Sequence, residues 1–301
     1  MRRLILVANP AASGFTASLH RDVVSILQSG FVVTPVWPDG AAEARVAAAD
    51  AAAEGYDIVV AMGGDGVAHQ VANGLIGSET ALGVVPAGTT NVLRRVLGLP
   101  RKPLEAARVI ARSQGWRFLP TMRLESNGPD GEETRHASFA AGVGFDAEVI
   151  RESEKRPIKK VGAGTLHYVR STLRVALGGY RRRRQNLRVT VDGRPSNALA
   201  AIVQVHDTFT YLGRRSLSLG TPPPVAVSVR RVTATRLARL VARAMRDRPI
   251  DTIRGIEAWP GFARMTVDAE PASWMEADGE LIGRISRLEA IPEPARLRVV
   301  E

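Results

Sequence analysis

The chain has 301 residues, 45% of them hydrophobic and 24% charged, which supports two buried cores of ordinary size and excludes global disorder. Its 41 Lys and Arg against 30 Asp and Glu leave a net charge of +11, a surface that attracts nucleotides, nucleic acid or anionic lipid headgroups. The absence of cysteine excludes disulfides, thiolate catalysis and Cys-based metal sites, and fits a cytoplasmic protein.

The opening "MRRLILVANPAASG" faintly imitates a signal peptide. Its apolar run, Leu4 to Ala8, is shorter than such a segment needs, and Asn9-Pro10 ends it. It reads as a first strand. Phe15–Ser29 follows with helical spacing. "FVVTPVW" is a strand, and "AEARVAAADAAAEG" is an alanine-rich helix closed by Gly55. "DIVVAM" is a buried strand leading into a helix over Val67–Ile76. "ALGVVPAG" is a strand, followed by helices over Asn91–Leu97 and Pro103–Ser113. Strand and helix at this short spacing predict parallel βαβ units, an α/β domain over residues 1–120.

The pattern then changes. "TMRLES", "ASFAAGVGF", "NLRVTVDG", "NALAAIVQVH", "SLSLG", "VAVSVRRV", "RMTVDA" and "SWMEADGELIGRI" are short alternating runs with turns between them. They predict a mainly antiparallel β domain over residues 121–301, interrupted by helical patches at Gly164–Leu177 and Ala234–Met245. No uncharged apolar stretch reaches the roughly 18 residues of a membrane span, so any membrane contact is expected to be peripheral.

Three βα turns carry the chemistry. In "GGDG", Gly63 to Gly66, a buried strand passes straight into a helix. Helix N-terminal amides favour an anion, and glycine lets a phosphate approach the backbone. Asp65 repels phosphate but can hold Mg²⁺, which bridges to phosphate oxygens. The competing reading is a tight turn that merely needs positive φ. "NPAASG" (Asn9–Gly14) and "PAGTTN" (Pro86–Asn91) are two further small-residue turns. In a parallel sheet all three gather at the carboxyl edge of the strands, where ligands bind.

These three loops in this order, with "VANGL" behind the second and "VLRRVLGLP" behind the third, resemble the diacylglycerol kinase catalytic family. That family includes bacterial diacylglycerol kinases, YegS-like lipid kinases and sphingosine kinases. The likeness continues in "FAAGVGFDAEV" (Phe139–Val149) and ends in "DGE" (Asp278–Glu280). It implies a Rossmann-like α/β nucleotide domain followed by a β-sandwich-type domain, with the active site in the cleft between them. It implies an ATP-dependent kinase that phosphorylates a lipid hydroxyl, of diacylglycerol or a related lipid, in lipid metabolism and phospholipid biosynthesis. By resemblance Asn9, Pro10 and Ser13 lie near the nucleotide. Gly63, Gly64, Asp65 and Gly66 cradle its phosphates and position Mg²⁺, and Gly88, Thr89 and Asn91 complete the pocket. Asp278 is then the general base for the lipid hydroxyl, with Glu280 assisting. The implied cofactors are ATP and Mg²⁺, and the implied partner is a lipid at an anionic membrane surface. Nucleic acid is not expected, since aromatics are only 5% and no recognised module appears. A homodimer is left open.

The chain departs from the pattern in places. Val67 stands where a threonine is usual, "VWPDG" (Val36–Gly40) replaces another, and Val92 replaces an acid. No acid occurs between Asp207 and Asp247, where bacterial diacylglycerol kinases hold a structural Mg²⁺, so that site is expected to be missing. A relative that binds lipid or nucleotide without turnover is therefore the alternative. An NAD-kinase-like enzyme is disfavoured by "PAGTTN" and "DGE". Asp278 also has a plain reading, because Asp-Gly is a strong hairpin-turn signal; Asp192-Gly193 is a second such turn with no evident role. Arg181–Arg184 reads as a solvated turn or a headgroup-binding cluster. His69 is expected on the surface, and Trp259 and Trp274 in the core.

Overall fold

The computed structural model describes residues 2–155, 174–175, 185–207, 210–212, 215–217, 220–244, 246, 248–250 and 253–301. The chain divides into two compact units, Met1–Thr121 with Glu293–Glu301, and Met122–Pro292. The sequence reading kept the C-terminal residues with the second region; they run instead with the first.

The first unit alternates strand and helix: β1 (Arg3–Ala8), α1 (Ala17–Leu27), β2 (Val32–Val36), α2 (Ala41–Ala53), β3 (Ile58–Gly63), α3 (Asp65–Leu75), β4 (Ala81–Pro86), α4 (Val92–Val96) and α5 (Pro103–Arg112). The strands pair in parallel in the order β2-β1-β3-β4. The chain terminus adds one more parallel contact, Val299 opposite Leu82. β3 and β4 are buried along their whole length, as strands covered on both faces must be, hence their continuous apolar runs. Leu4, Leu6, Val60 and Met62 share one face and pack with Val23 and Leu27 of α1 and Ile110 of α5. Each such side chain contributes about 1.5–3 kcal/mol by leaving water.

Helix ends follow local chemistry. The Thr16 hydroxyl accepts the Leu19 N–H at 3.1 Å and starts α1. Pro103 occupies the first turn of α5, where its missing N–H costs nothing. The alanines of α2 let α3 approach closely. A Cβ on Gly74 would lie 2.4 Å from the Arg45 carbonyl and 2.7 Å from Ala48 Cβ, which explains the glycine in "VANGL".

The second unit contains β6 (Gly131–Ala137), β7 (Ala140–Gly144), α6 (Phe145–Glu154), β8 (Leu187–Val191), β9 (Arg194–Ala198), β10 (Ala200–Gln204), β11 (Thr210–Leu212), β12 (Arg215–Leu217), β13 (Val225–Val229), α7 (Ala234–Ala244), β14 (Ile256–Pro260) and β15 (Met265–Ala277). It also holds most of β5 (Trp116–Gly128) and β16 (Glu280–Val300). Pairing is antiparallel, in the order β14-β13-β10-β7-β15-β16. β15 changes partners along its length. Met275–Ala277 pairs with β7, and Met265–Ala269 pairs with β8, with an irregularity between Asp268 and Ser273. β8 and β9 thereby cover the other strands. Ser196 of β9 meets Ser228 of β13 at 3.0 Å between their hydroxyls. Leu187, Val189, Val203, Met265, Met275 and Leu288 fill the core between the layers.

One helix escaped the sequence reading. The run "ASFAAGVGF" reads as a single strand, but the strand stops at Gly144, whose φ of 86° favours glycine. α6 starts there, with Asp146 and Glu148 in its first turn and Arg151 in its last, a charge order that suits the helix dipole. Ala147 and Val149 are buried. α7 matches the expected Ala234–Met245 patch. The Gly164–Leu177 patch lies outside the described residues apart from 174–175, and Arg181–Arg184 lies wholly outside them.

Candidate active site

The parallel register brings the ends of β1, β3 and β4 level, with Ala8 beside Met62 and Gly63 beside Pro86. The three small-residue turns leave from that edge and bond to one another. The Asn9 N–H donates to the Met62 carbonyl at 3.0 Å, the Ala87 N–H to the Gly63 carbonyl at 2.7 Å, and the Gly14 N–H to the Ala87 carbonyl at 2.8 Å. Gly88 abuts Gly64: a Cβ on Gly88 would lie 2.5 Å from Gly64 Cα. No larger residue fits without moving backbone. Asn9 orders its own loop, since its side-chain oxygen accepts the Ala11 N–H at 2.9 Å, an Asx turn. Pro10, Ser13 and Thr89 are exposed, while Asn9, Gly64, Gly66 and Gly88 are half-buried.

Asn91 closes "PAGTTN" on itself. Its amide nitrogen donates to the Gly88 carbonyl at 2.8 Å, and its oxygen accepts the Gly88 N–H at 3.3 Å. Its φ of 51° is left-handed, a region asparagine tolerates. Asp65 begins α3 half-buried and reaches across to α4, where its Oδ1 accepts the Leu93 N–H at 3.1 Å. Gly64, at the N-cap of α3, supplies no side-chain cap. Among the described residues no three His, Cys, Asp or Glu gather to hold a metal. One carboxylate beside a glycine-lined helix start fits Mg²⁺ that arrives on phosphates, because Mg²⁺ is held by one or two carboxylates plus phosphate and water.

In the second unit Asp278 and Gly279 form the turn from β15 to β16, with φ of 53° and 82°. Positive φ at both central residues marks a type I′ hairpin turn. Asp278 is 1% exposed. Its Oδ2 accepts the Ser138 N–H at 2.7 Å, and its Oδ1 accepts those of Phe139 and Ala140 at 2.9 and 3.2 Å. The carboxylate thus anchors the approach to β7. Glu280 is half-buried next to it.

The sequence reading missed what lies under this turn. Glu276 is 4% exposed, and its Oε2 accepts the Gly279 N–H at 2.9 Å. Asp146 of α6, itself buried, lies close by: a Cβ on Gly142 would come 2.9 Å from Asp146 Oδ2 and 3.0 Å from Glu276 Oε1. Burial, and then the Asp146 charge, push the Glu276 carboxyl well above the ordinary 4.5. Strand alternation puts Glu276 on the side of Asp278, but only α6, unread in the sequence, makes that side interior.

Other expectations met the structure unevenly. His69 is fully buried instead of exposed, because α3 is covered by the sheet and by α2; its ring nitrogen lies 3.4 Å from Asn73. Trp259 packs partly buried against the core. Trp274 is half-buried under the Arg151 guanidinium, 5.2 Å away. Trp37, in the departing "VWPDG", is 52% exposed, its ring 5.1 Å from that of His20 and tilted by 42° to it. Burial lowers the His20 pKa. Among the described residues no helix is long and apolar enough to cross a membrane.

Residues 3–118 match the family model of the diacylglycerol kinase catalytic domain. The chain is 34% identical over 108 residues to a diacylglycerol kinase of Bacillus subtilis (strain 168), covering 35% of this chain and 36% of that protein. It is 32% identical over 136 residues to a protein named as a YegS-like lipid kinase of Stenotrophomonas maltophilia, covering 43% and 42%. The chain thus spans less than half the length of these curated relatives. A crystal structure of a diacylglycerol kinase from Bacillus anthracis str. Sterne superposes with a TM-score of 0.70 at 16% identity, covering 99% of this chain and 96% of that one. At that identity the likeness is one of fold.

Proposed function

We propose that this chain, whose residues 3–118 belong to the diacylglycerol kinase catalytic-domain family, is an ATP-dependent lipid kinase that transfers the γ-phosphoryl group to a lipid hydroxyl. One observation carries the reading: three small-residue loops, hydrogen-bonded at the carboxyl edge of a parallel sheet, surround the uncapped start of α3. The backbone amides there would hold the phosphates of ATP, since helix-start N–H groups and dipole favour anions. Asp65 would hold Mg²⁺, which when bound neutralises charge on the phosphates. Gly88 and Asn91 keep the third loop against Gly64.

Asp278 is the proposed base. Its two carboxylate oxygens accept the amides of residues 138–140, which hold it in place, and the proton of the lipid hydroxyl would go to this carboxylate. Glu280 assists from the same turn. Asp278's near-complete burial favours a second reading, a relative that binds lipid or nucleotide without turnover. Incubation of the purified chain with labelled ATP, Mg²⁺ and a panel of lipids separates the two. The kinase reading expects labelled lipid and its loss in Asp65→Asn at every Mg²⁺ concentration. Unlabelled lipid throughout supports the second reading.

The net charge of +11 supports peripheral docking on an anionic membrane. Attraction of about 1 kcal/mol per arginine near such a surface fades with salt. Vesicles containing phosphatidylserine should bind the protein at low salt and release it at high salt. Equal binding to neutral vesicles counts against this.

A further inference from the structure

Helix α7 is cationic along one side. It carries Arg236, Arg239 and Arg243 and no acid, and Arg246 continues the row just past its end. Spacings of three and four residues line such positions along one helix side. Within the helix the row runs about 10 Å. By contrast, α1, α2, α5 and α6 each mix acids with arginines.

A different side holds the helix in place. Leu237 and Leu240 pack, partly buried, against the cluster that includes Val225, Val227 and Ile250. The apolar side thus faces the core. On the other, Arg239 and Arg246 are exposed and Arg236 and Arg243 half-buried.

Among the described residues no acid forms an ion pair with these four arginines. Arg236, Arg243 and Arg246 donate instead to the backbone carbonyls of Arg231 at 3.4 Å, Pro249 at 3.1 Å and Ala242 at 3.1 Å. A carbonyl carries no net charge and arginine does not deprotonate, so each guanidinium keeps its positive charge. Arg231, Arg248 and Arg254 add exposed positive charge in the flanking segments. Arg236 lies beside one of them, its Nη1 3.2 Å from a Cβ placed on Gly255. Like charges at spacings of three and four oppose helix formation. An anionic partner would relieve that repulsion.

Shape and composition point to the partner. An exposed row of guanidinium groups suits phosphates spread over a surface, which arginine grips with paired N–H donors. It makes no pocket for a single nucleotide. Residues 230–254 contain no aromatic side chain, so unpaired bases find nothing to stack on.

We propose that the arginine row of α7 docks the protein on an anionic membrane by binding lipid headgroups, without inserting apolar side chains. The choice of a membrane rests on the lipid-kinase reading, which puts the acceptor in a bilayer; the cationic row itself does not.

Two triple variants of the full chain, equal in charge, test it. Arg239→Gln, Arg243→Gln and Arg246→Gln strip the row. Arg21→Gln, Arg108→Gln and Arg112→Gln remove three exposed arginines of α1 and α5. Cosedimentation with phosphatidylserine–phosphatidylcholine vesicles reads the partition coefficient, at about 0.1 M salt, where charges more than about 10 Å from the membrane are screened. At about fivefold per arginine near the surface, the row variant should bind about 10²-fold more weakly than wild type. The control should stay within about threefold. Turnover on anionic vesicles should fall in the row variant, while turnover of lipid dispersed in neutral detergent should not.

Row-variant binding equal to wild type overturns the proposal. So does an equal loss in both triples, which leaves docking to net charge alone. Should the row variant not fold, Arg239→Gln alone takes its place, with about a fivefold loss expected; that residue is exposed. A duplex oligonucleotide that binds more tightly than the vesicles at the same salt, and is released by the row variant, overturns the membrane as partner. A wild type that docks through the row but phosphorylates no lipid in vesicles or detergent overturns the kinase reading and leaves the docking surface standing.

Discussion

The molecule uses the dipeptide Asp-Gly twice at the same kind of corner, in opposite surroundings. Asp192-Gly193 joins β8 to β9 with φ of 46° and 80°, and Asp278-Gly279 joins β15 to β16 with φ of 53° and 82°. In each, the carboxylate accepts backbone N–H groups from a neighbouring segment: Ala263 and Arg264 for Asp192, Ser138 to Ala140 for Asp278. Asp192, however, is exposed, and no acid in its own hairpin supports it. Asp278 is 1% exposed and rests over Glu276 and Asp146. Local sequence sets the turn in both places. Burial, and what lies beneath, separates a plain corner from a candidate site.

The largest expected contrast comes from the same substitution at both corners. Asp278→Asn should lower lipid-kinase turnover by about 10²–10⁴-fold, the usual contribution of a general base. It should also lower stability by about 1–3 kcal/mol, because a carboxamide turns a donor toward amides that need acceptors. ATP affinity should stay near wild type, measured by titration of the folded variant. If stability falls while turnover is kept, Asp278 is an anchor only and the base lies elsewhere.

The parallel sheet, its three loops and the run of short strands were legible because their signals are local: apolar runs, helix starts and glycine-rich turns. The convergence of the loops was legible too, since parallel strands place their βα turns at one edge. What escaped depended on packing. α6 hid behind Gly144, whose left-handed φ ends a strand that the apolar pattern seemed to continue. Without α6, nothing in the alternating run "SWMEADGELIGRI" marks Glu276 as interior. His69 looked exposed because α2 and α3 meet through small residues, Ala48 of α2 against Gly74 of α3, which leave no periodic apolar signal.

A smaller effect sharpens the contrast through pH. Burial and the Asp146 charge raise the Glu276 pKa in the folded chain well above the ordinary 4.5. Between that ordinary value and the raised one, the native state binds more protons than the unfolded state. Stability from this group is therefore fully present below about pH 4.5 and is lost as pH rises through the folded value. In that window the stability of the wild type relative to Glu276→Gln should fall by about 1.4 kcal/mol per pH unit. Denaturant unfolding of both proteins across the range reads this difference. A flat or rising difference would show that Glu276 is ionised in the native state.

The smallest effect is expected at the plain corner. Asp192→Asn keeps a residue that enters the left-handed turn as readily as aspartate, because Asn-Gly forms the same type I′ hairpin. Its side-chain oxygen can still accept the Arg264 N–H, now 2.9 Å from Asp192 Oδ1. The Ala263 N–H, which sees both carboxylate oxygens at 3.1 and 3.2 Å, would lose one acceptor. Solvent reaches the exposed turn and can replace it. The loss should therefore stay near 0.5–1 kcal/mol, the net worth of one ordinary hydrogen bond, with turnover unchanged within about twofold and no change in its pH profile. A loss of turnover at Asp192 like that at Asp278 would mean that the corners differ less than their burial implies, and that the base assignment reads a general sensitivity of the β unit as chemistry.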